Sequence, residues 1–305
     1  MKISKLIILS IFAIGLFSCK NDTKKEGSKP QTQEKSAKKE IDKQLNITIL
    51  LDLSDRIEPT KYPNSPEHFE RDIEVVNYFT ELFKKDMAKK GAFMAKGKMK
   101  VIFSPRPNDS EINNIASQLS IDLSKTKNTK EKKEIFDNVS LNFKENLSKI
   151  YSKTIEAKKY PGSDIWRFFK NDVVDYCIEE NNNYRNILVL ITDGYLYHKN
   201  STDKNKNRTA FLLPKKIASN GLRNSNWKEK FNSQDFGYIT SRKDLNNLDV
   251  LVLEINPSEK FKNDEDVIKE YLNKWFTEMN VNSYKLYNSD LPQYTKSKID
   301  KFINQ

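Results

Sequence analysis

Two cysteines and two histidines are all that 305 residues contain. A zinc centre built on Cys and His needs three or four such ligands at set spacings. Cys19, Cys177, His68 and His198 are too few and too scattered to supply one. Cys177 follows Ile165, Phe168, Phe169 and Val173 on the apolar side of an expected helix, which suits a small core residue better than a nucleophile. His68 near a helix start and His198 in a loop are expected to be solvated. Glycine is scarce too, with eight in the chain, and neither a P-loop nor a Gly-x-Ser-x-Gly elbow occurs. Long apolar runs are missing. Leu6 to Phe17 is twelve residues, well short of the ~20 that a membrane-spanning helix takes. Nor do aromatic and basic residues interleave in the stripe on which single-stranded nucleic acid stacks.

What is abundant is charge: 53 Lys plus Arg against 42 Asp plus Glu, for a net +11. The lysines are spread along the chain, which reads as a solvated surface, and no nucleic-acid partner is expected. Hydrophobic residues make up 37%, with 17 Phe and 13 Tyr, enough to fill a core.

The start of the chain sets the expected compartment. Lys2 and Lys5 precede the apolar run, which ends in Leu16-Phe17-Ser18-Cys19-Lys20. This segment resembles the leader and lipobox of bacterial lipoproteins. The resemblance implies cleavage after a signal peptide of residues 1–18 and diacylation of Cys19, so that the protein is lipid-anchored at the bacterial envelope. Several acyl chains make a lasting anchor. Cys177 would then be the only free thiol, and an intrachain disulfide is excluded. No acidic run follows Cys19, which favours an outer-membrane, periplasm-facing position. Residues 19–45 are polar and rich in Lys, Glu and Gln, and are read as a disordered tether.

The domain is expected over 46–305. Ile47-Thr48-Ile49-Leu50-Leu51 and Ile187-Leu188-Val189-Leu190-Ile191 are short continuous apolar runs, the pattern of parallel strands covered on both faces. Further strands are expected at 99–103, 249–255 and 283–287. A long helix, with Pro66 in its first turn, is expected to run to about Lys90 and end at Gly91. Residues 106–160 are read as a helical insertion. Its stripe of Ile135, Phe136, Val139, Phe143, Leu147, Ile150, Tyr151 and Ile155 has core spacing. Residues 198–247 read as a long polar excursion, able to form a lid. Alternating strands and helices give an α/β fold: a doubly wound, mostly parallel, Rossmann-like sheet flanked by helices.

Chemistry concentrates where strands end. Asp52-Leu53-Ser54-Asp55-Arg56 follows the first apolar run, and Thr192-Asp193-Gly194 follows the central one. Gly162-Ser163-Asp164 precedes the middle helix. In open α/β sheets, ligands sit at such carboxyl ends. Taken singly, Ser163-Asp164 is an ordinary helix cap and Asp193-Gly194 an ordinary turn. Together they resemble the von Willebrand factor A domain and its metal-ion-dependent adhesion site. That family reads Asp-x-Ser-x-Ser, then a Thr before the middle helix, then Asp-Gly. The resemblance implies Mg2+ or Mn2+ held by Asp52, Ser54, Ser163 and Asp193, with Asp164 as a further candidate. A partner protein's acidic side chain would complete the shell. Arg56 departs from the pattern by standing where the family has its second Ser. Turned inward it competes with a metal; turned outward it pairs with Asp55.

The expected function is therefore a membrane-anchored binding module and not an enzyme. Two alternatives stay open: a metal-dependent hydrolase using Asp52 and Asp193, and a scaffold of this fold that has lost its metal.

Overall fold

The computed structural model describes residues 42–257, 259–261 and 263–305; the expected leader, Cys19 and most of the tether lie outside them. In chain order the elements are β1 (Gln44–Leu51), α1 (His68–Met94), β2 (Lys98–Phe103), α2 (Ser110–Ser117), β3 (Ser120–Asp122), α3 (Thr129–Ala157), α4 (Ile165–Asn171), α5 (Val173–Cys177) and β4 (Tyr184–Ile191). There follow β5 (Lys204–Asn205), β6 (Arg208–Thr209), α6 (Pro214–Ser219), α7 (Trp227–Ser233), β7 (Gly237–Tyr238), β8 (Asp249–Ile255), α8 (Asp264–Glu278), β9 (Ser283–Asn288) and α9 (Pro292–Ile303). No helix among the described residues is long and apolar enough to cross a membrane.

The main sheet runs β3-β2-β1-β4-β8-β9. Every neighbouring pair is parallel except β2 with β3. This is the doubly wound order, which reverses between β1 and β4. The fold class expected from the sequence is the one found. Alternation along each strand feeds two cores. Ile47, Ile49 and Leu51 of β1 and Ile187, Val189 and Ile191 of β4 join α1, α3 and α9 on one face. Leu50, Leu188 and Leu190 join α4, α5 and α8 on the other. Each such side chain contributes about 1.5–3 kcal/mol when fully buried. On the second face Phe169 packs on Trp275 with ring centroids 4.8 Å apart. Cys177 is a buried member of that core, and burial pushes its thiol up to about 12.

β8 carries one irregularity. Leu251 and Leu253 face the first core, yet Ile255 faces the second. The register slips between Val252 and Ile255, and Glu254 takes φ +68°. A bulge of this kind re-aims one side chain.

Three sequence expectations need correction. Pro66 precedes α1 by two residues and is not in its first turn. Residues 106–160 are helical as read, and their stripe packs in the core as its spacing suggests, but they also add a strand to the main sheet. They supply β3, the edge strand of the sheet, and α3, whose Val139, Phe143, Leu147, Ile150 and Tyr151 are buried in the core with Val76, Phe79 and Phe83 of α1. Residues 198–247 are not a bare loop. They fold into α6, α7 and the small sheet β5-β6-β7, and bury Leu212, Ile217, Phe231 and Tyr238 in the second core. Gly91, at φ +74°, breaks the regular course of α1 close to the expected end.

Candidate functional site

β1 and β4 end level with each other. Leu51 pairs with Ile191, and the Asp52 amide donates to the Ile191 carbonyl at 3.1 Å. The next residues, Asp52 on one strand and Thr192-Asp193 on the other, therefore leave the sheet side by side, where strand order reverses. Asp52 is buried. Its Oδ1 accepts from the Ser54 amide and its Oδ2 from Thr192 Oγ1, both at 2.8 Å. The third segment reaches the same rim through two isolated bridges, Leu53 with Gly162 and Ser163 with Tyr197. Gly162 sits at φ +89°, and a Cβ there would stand 3.2 Å from the Tyr197 carbonyl, so glycine is required for this approach. The rim thus gathers Asp52, Ser54, Ser163, Asp164 and Asp193 from three remote stretches of chain.

Their surroundings differ. Ser163 and Asp164 are both buried, and neither Ser163 Oγ nor Asp164 Oδ1 has a hydrogen-bond partner among the described residues. Buried polar atoms without partners are uncommon and call for an explanation. Asp164 does not cap α4 with its side chain. Its Oδ2 lies 3.0 Å from His198 Nδ1 instead. His198 is therefore not the solvated loop residue its sequence position suggests. Asp193 accepts from the Tyr195 amide at 2.9 Å. Burial, reinforced by the Asp52 carboxylate, pushes Asp193 up to about 7, with Arg56 opposing.

Arg56 settles inward. The short turn Asp55–Ile57 that follows Ser54 buries it. Its Nη2 donates to Asp72 Oδ2 at 2.5 Å and to the Ile191 carbonyl at 3.5 Å. Burial works against its charge, but Asp72 and Asp52 more than offset that and raise its pKa. Asp55 points away and pairs with Lys61 at the surface, so it offers no oxygen to the rim.

Sequence reasoning passed over the polar layer beneath. Asp72, on α1, is fully buried and also accepts from Tyr151 Oη on α3 at 2.7 Å. Burial pushes its carboxyl up to about 6, while Arg56 and the Tyr151 hydroxyl hold it back. Arg71, one residue earlier, pairs with Glu254 at the β8 bulge at 2.8 Å. His68 is half-buried here, and burial together with Arg56 lowers it to about 4, so it is neutral and not solvated. Asp72 and Arg71 carry no distinguishing signal, since Glu70 and Glu74 stand beside them in the same helix.

The donor set is compatible with a small hard cation in one respect and resists it in another. Hydroxyl and carboxylate oxygens are the ligands Mg2+ takes, and two buried oxygens here lack partners. Among the described residues neither Asp52 nor Asp193 has an ion-pair partner, because Arg56 pairs with Asp72. Against that, no three His, Cys, Asp or Glu side chains among the described residues stand where one ion would bind them all. A cation here would rest on Ser54 and Ser163, with the carboxylates acting through water.

Comparison with known proteins adds little to this geometry. No family model and no curated protein matches the chain. Among solved structures, an aerotolerance-related membrane protein from Bacteroides fragilis is 13% identical, with a TM-score of 0.36 over 85% of this chain and 98% of that one. The pilus adhesin SpaC from Lactobacillus rhamnosus GG is 9% identical, with a TM-score of 0.39 over 85% of this chain and 30% of that one. At such scores the likenesses decide nothing, and the architecture stands on the strand order and register given above.

Proposed function

We propose that the chain is a von Willebrand factor A-like binding module. In this reading a lipid on Cys19 holds it at the bacterial envelope, facing the periplasm. Its rim of Asp52, Ser54, Ser163 and Asp193 holds Mg2+ or Mn2+, and an acidic side chain of a partner protein completes the shell. The observation that carries the reading is the pair of buried, unpartnered oxygens, Ser163 Oγ and Asp164 Oδ1, on the same rim as a carboxylate raised by burial and by the Asp52 charge. A divalent cation would satisfy the first and relieve the second. Calorimetric titration with magnesium and with manganese tests it. Binding heat is expected for the native protein, and affinity should fall by about 10–100-fold in Asp193→Ala. Flat traces for both proteins sink the proposal.

One observation favours a second reading, a scaffold of this fold without a metal. Arg56 is buried close enough to Asp52 and Asp193 for both to raise its pKa. A fixed guanidinium then stands in for the cation. Under this reading the native protein gives no heat, whereas Arg56→Ser, which restores the hydroxyl of the family pattern, acquires magnesium binding. A hydrolase finds less support, since His198 Nδ1 is taken up by Asp164 and Ser163 Oγ meets no base.

A further inference from the structure

The rim opposite the candidate site carries the most exposed large apolar residue described, Phe93 at 84%, followed by Met94 at 66%. Gly91 puts them there. Its φ of +74° kinks α1 there, and Phe93 and Met94 lie in the last helical turn beyond the kink. Gln44, the first residue of β1, fixes the place: its Nε2 donates to the Met94 carbonyl at 3.1 Å and its Oε1 accepts from the Lys96 amide at 2.8 Å. The described chain therefore begins beside this patch, and Asp42 pairs with Lys89 there at 2.9 Å.

The surroundings are basic. Residues 84–100 hold seven lysines and one acid, and residues 125–133 hold five lysines and one acid. The two stretches meet, because Lys132 Nζ on the first turn of α3 donates to the Ala95 carbonyl at 2.6 Å. Lys85, Lys89, Lys96, Lys127 and Lys130 are exposed. Two protruding apolar side chains beside a cluster of exposed lysines form the pattern that enters the interface of an anionic bilayer. A protein partner would be expected to meet a flatter, less charged patch with few lysines.

We propose that this face docks on an anionic lipid surface, with Phe93 and Met94 entering the headgroup layer and the lysines around them facing acidic headgroups. Docking this way turns the rim of Asp52 and Asp193 away from the membrane, toward whatever lies beyond it. The proposal does not depend on the cation. It also does not depend on acylation, since the contact is made by the folded body.

Residues 42–305 contain the whole sheet and both cores, and they lack the acyl site and the lysine-rich tether, so they are the fragment to test. The assay is co-sedimentation with vesicles of equimolar phosphatidylglycerol and phosphatidylcholine, beside pure phosphatidylcholine. Binding is expected to the first only. Phe93→Ser with Met94→Ser is expected to weaken it by about tenfold or more, and Lys96→Glu or Lys130→Glu by at least about fivefold each. All these side chains are exposed, so the variants should melt with the native fragment. Equal binding to neutral vesicles, no binding to either kind, or undiminished binding of the serine variant overturns the proposal. A dimer in sedimentation that the serine variant dissolves would assign the patch to a second copy of the chain and overturn it as well.

Discussion

Asp72→Ala is expected to lower the free energy of unfolding by about 3–5 kcal/mol, measured by urea denaturation followed by circular dichroism. Asp72 is fully buried, and its Oδ2 is the carboxylate partner of Arg56. Removing it strands a guanidinium that is 4% exposed and cannot shed its proton. It also leaves Tyr151 Oη without an acceptor. The reverse change, Arg56→Ala, should cost less, about 1–3 kcal/mol, because the orphaned carboxyl can take up a proton. Replacing both partners, as Arg56→Met with Asp72→Leu, is expected to recover most of the loss, since a buried ion pair often gives no net gain over an apolar pair of similar volume. The same pair gives stability a pH slope. Asp72 titrates near 6 in the folded protein and near 3.8 in the unfolded chain. Between those values the folded state binds more protons, so this group's contribution makes stability fall as pH rises from about 4 to about 6. Asp72→Asn removes that slope. A stability profile in Asp72→Asn with the native slope across this window would refute the assignment.

Gly194→Ala is expected to cost about 2–5 kcal/mol and to weaken whatever binds the rim. Gly194 has φ +94°, a left-handed backbone that L-residues adopt at about 1–2 kcal/mol. A Cβ there would stand 2.5 Å from Ile268 Cγ2 and 3.5 Å from Ile255 Cγ2. Ile268 is buried on α8 and has nowhere to go, so the helix shifts or the turn does, at about 1–3 kcal/mol. The turn carries Asp193. Adding Ile268→Ala to Gly194→Ala removes the overlap and should return part of the binding, though not of the stability. If Gly194→Ala alone melts like the native protein, the close packing of this turn against α8 is wrong.

The strands that position the site were legible because their residues are apolar but for Thr48. The runs 47–51 and 187–191 could only be buried on both faces, and their ends put Asp52 and Asp193 on one rim. The α3 stripe was equally readable. The polar layer under the rim was not. Arg56 finds Asp72 sixteen positions later, on another element, and no spacing rule links them. The Asp164 contact with His198 spans 34 residues and depends on the bridge between Ser163 and Tyr197. Residues 198–247 escaped recognition because β5, β6 and β7 are two residues each, too short to show a period of two. β3 has three residues and the same difficulty. The bulge at Glu254 is set by its pairing with Arg71 and Ser289, contacts made only once the fold exists.

The isolated bridges at the rim stand in series. Leu53 holds Gly162, the next residue Ser163 holds Tyr197, and its neighbour Leu196 holds Leu212. Each link is a single rung, with no ladder to share the strain. A pull on the Asp52 loop would therefore be handed along this chain to residue 212 and the α6–α7 region behind it. Amide exchange should record this: the protons of Ser163 and Leu212, each bonded across one rung, should slow together when the rim is engaged and quicken together when any one link is cut.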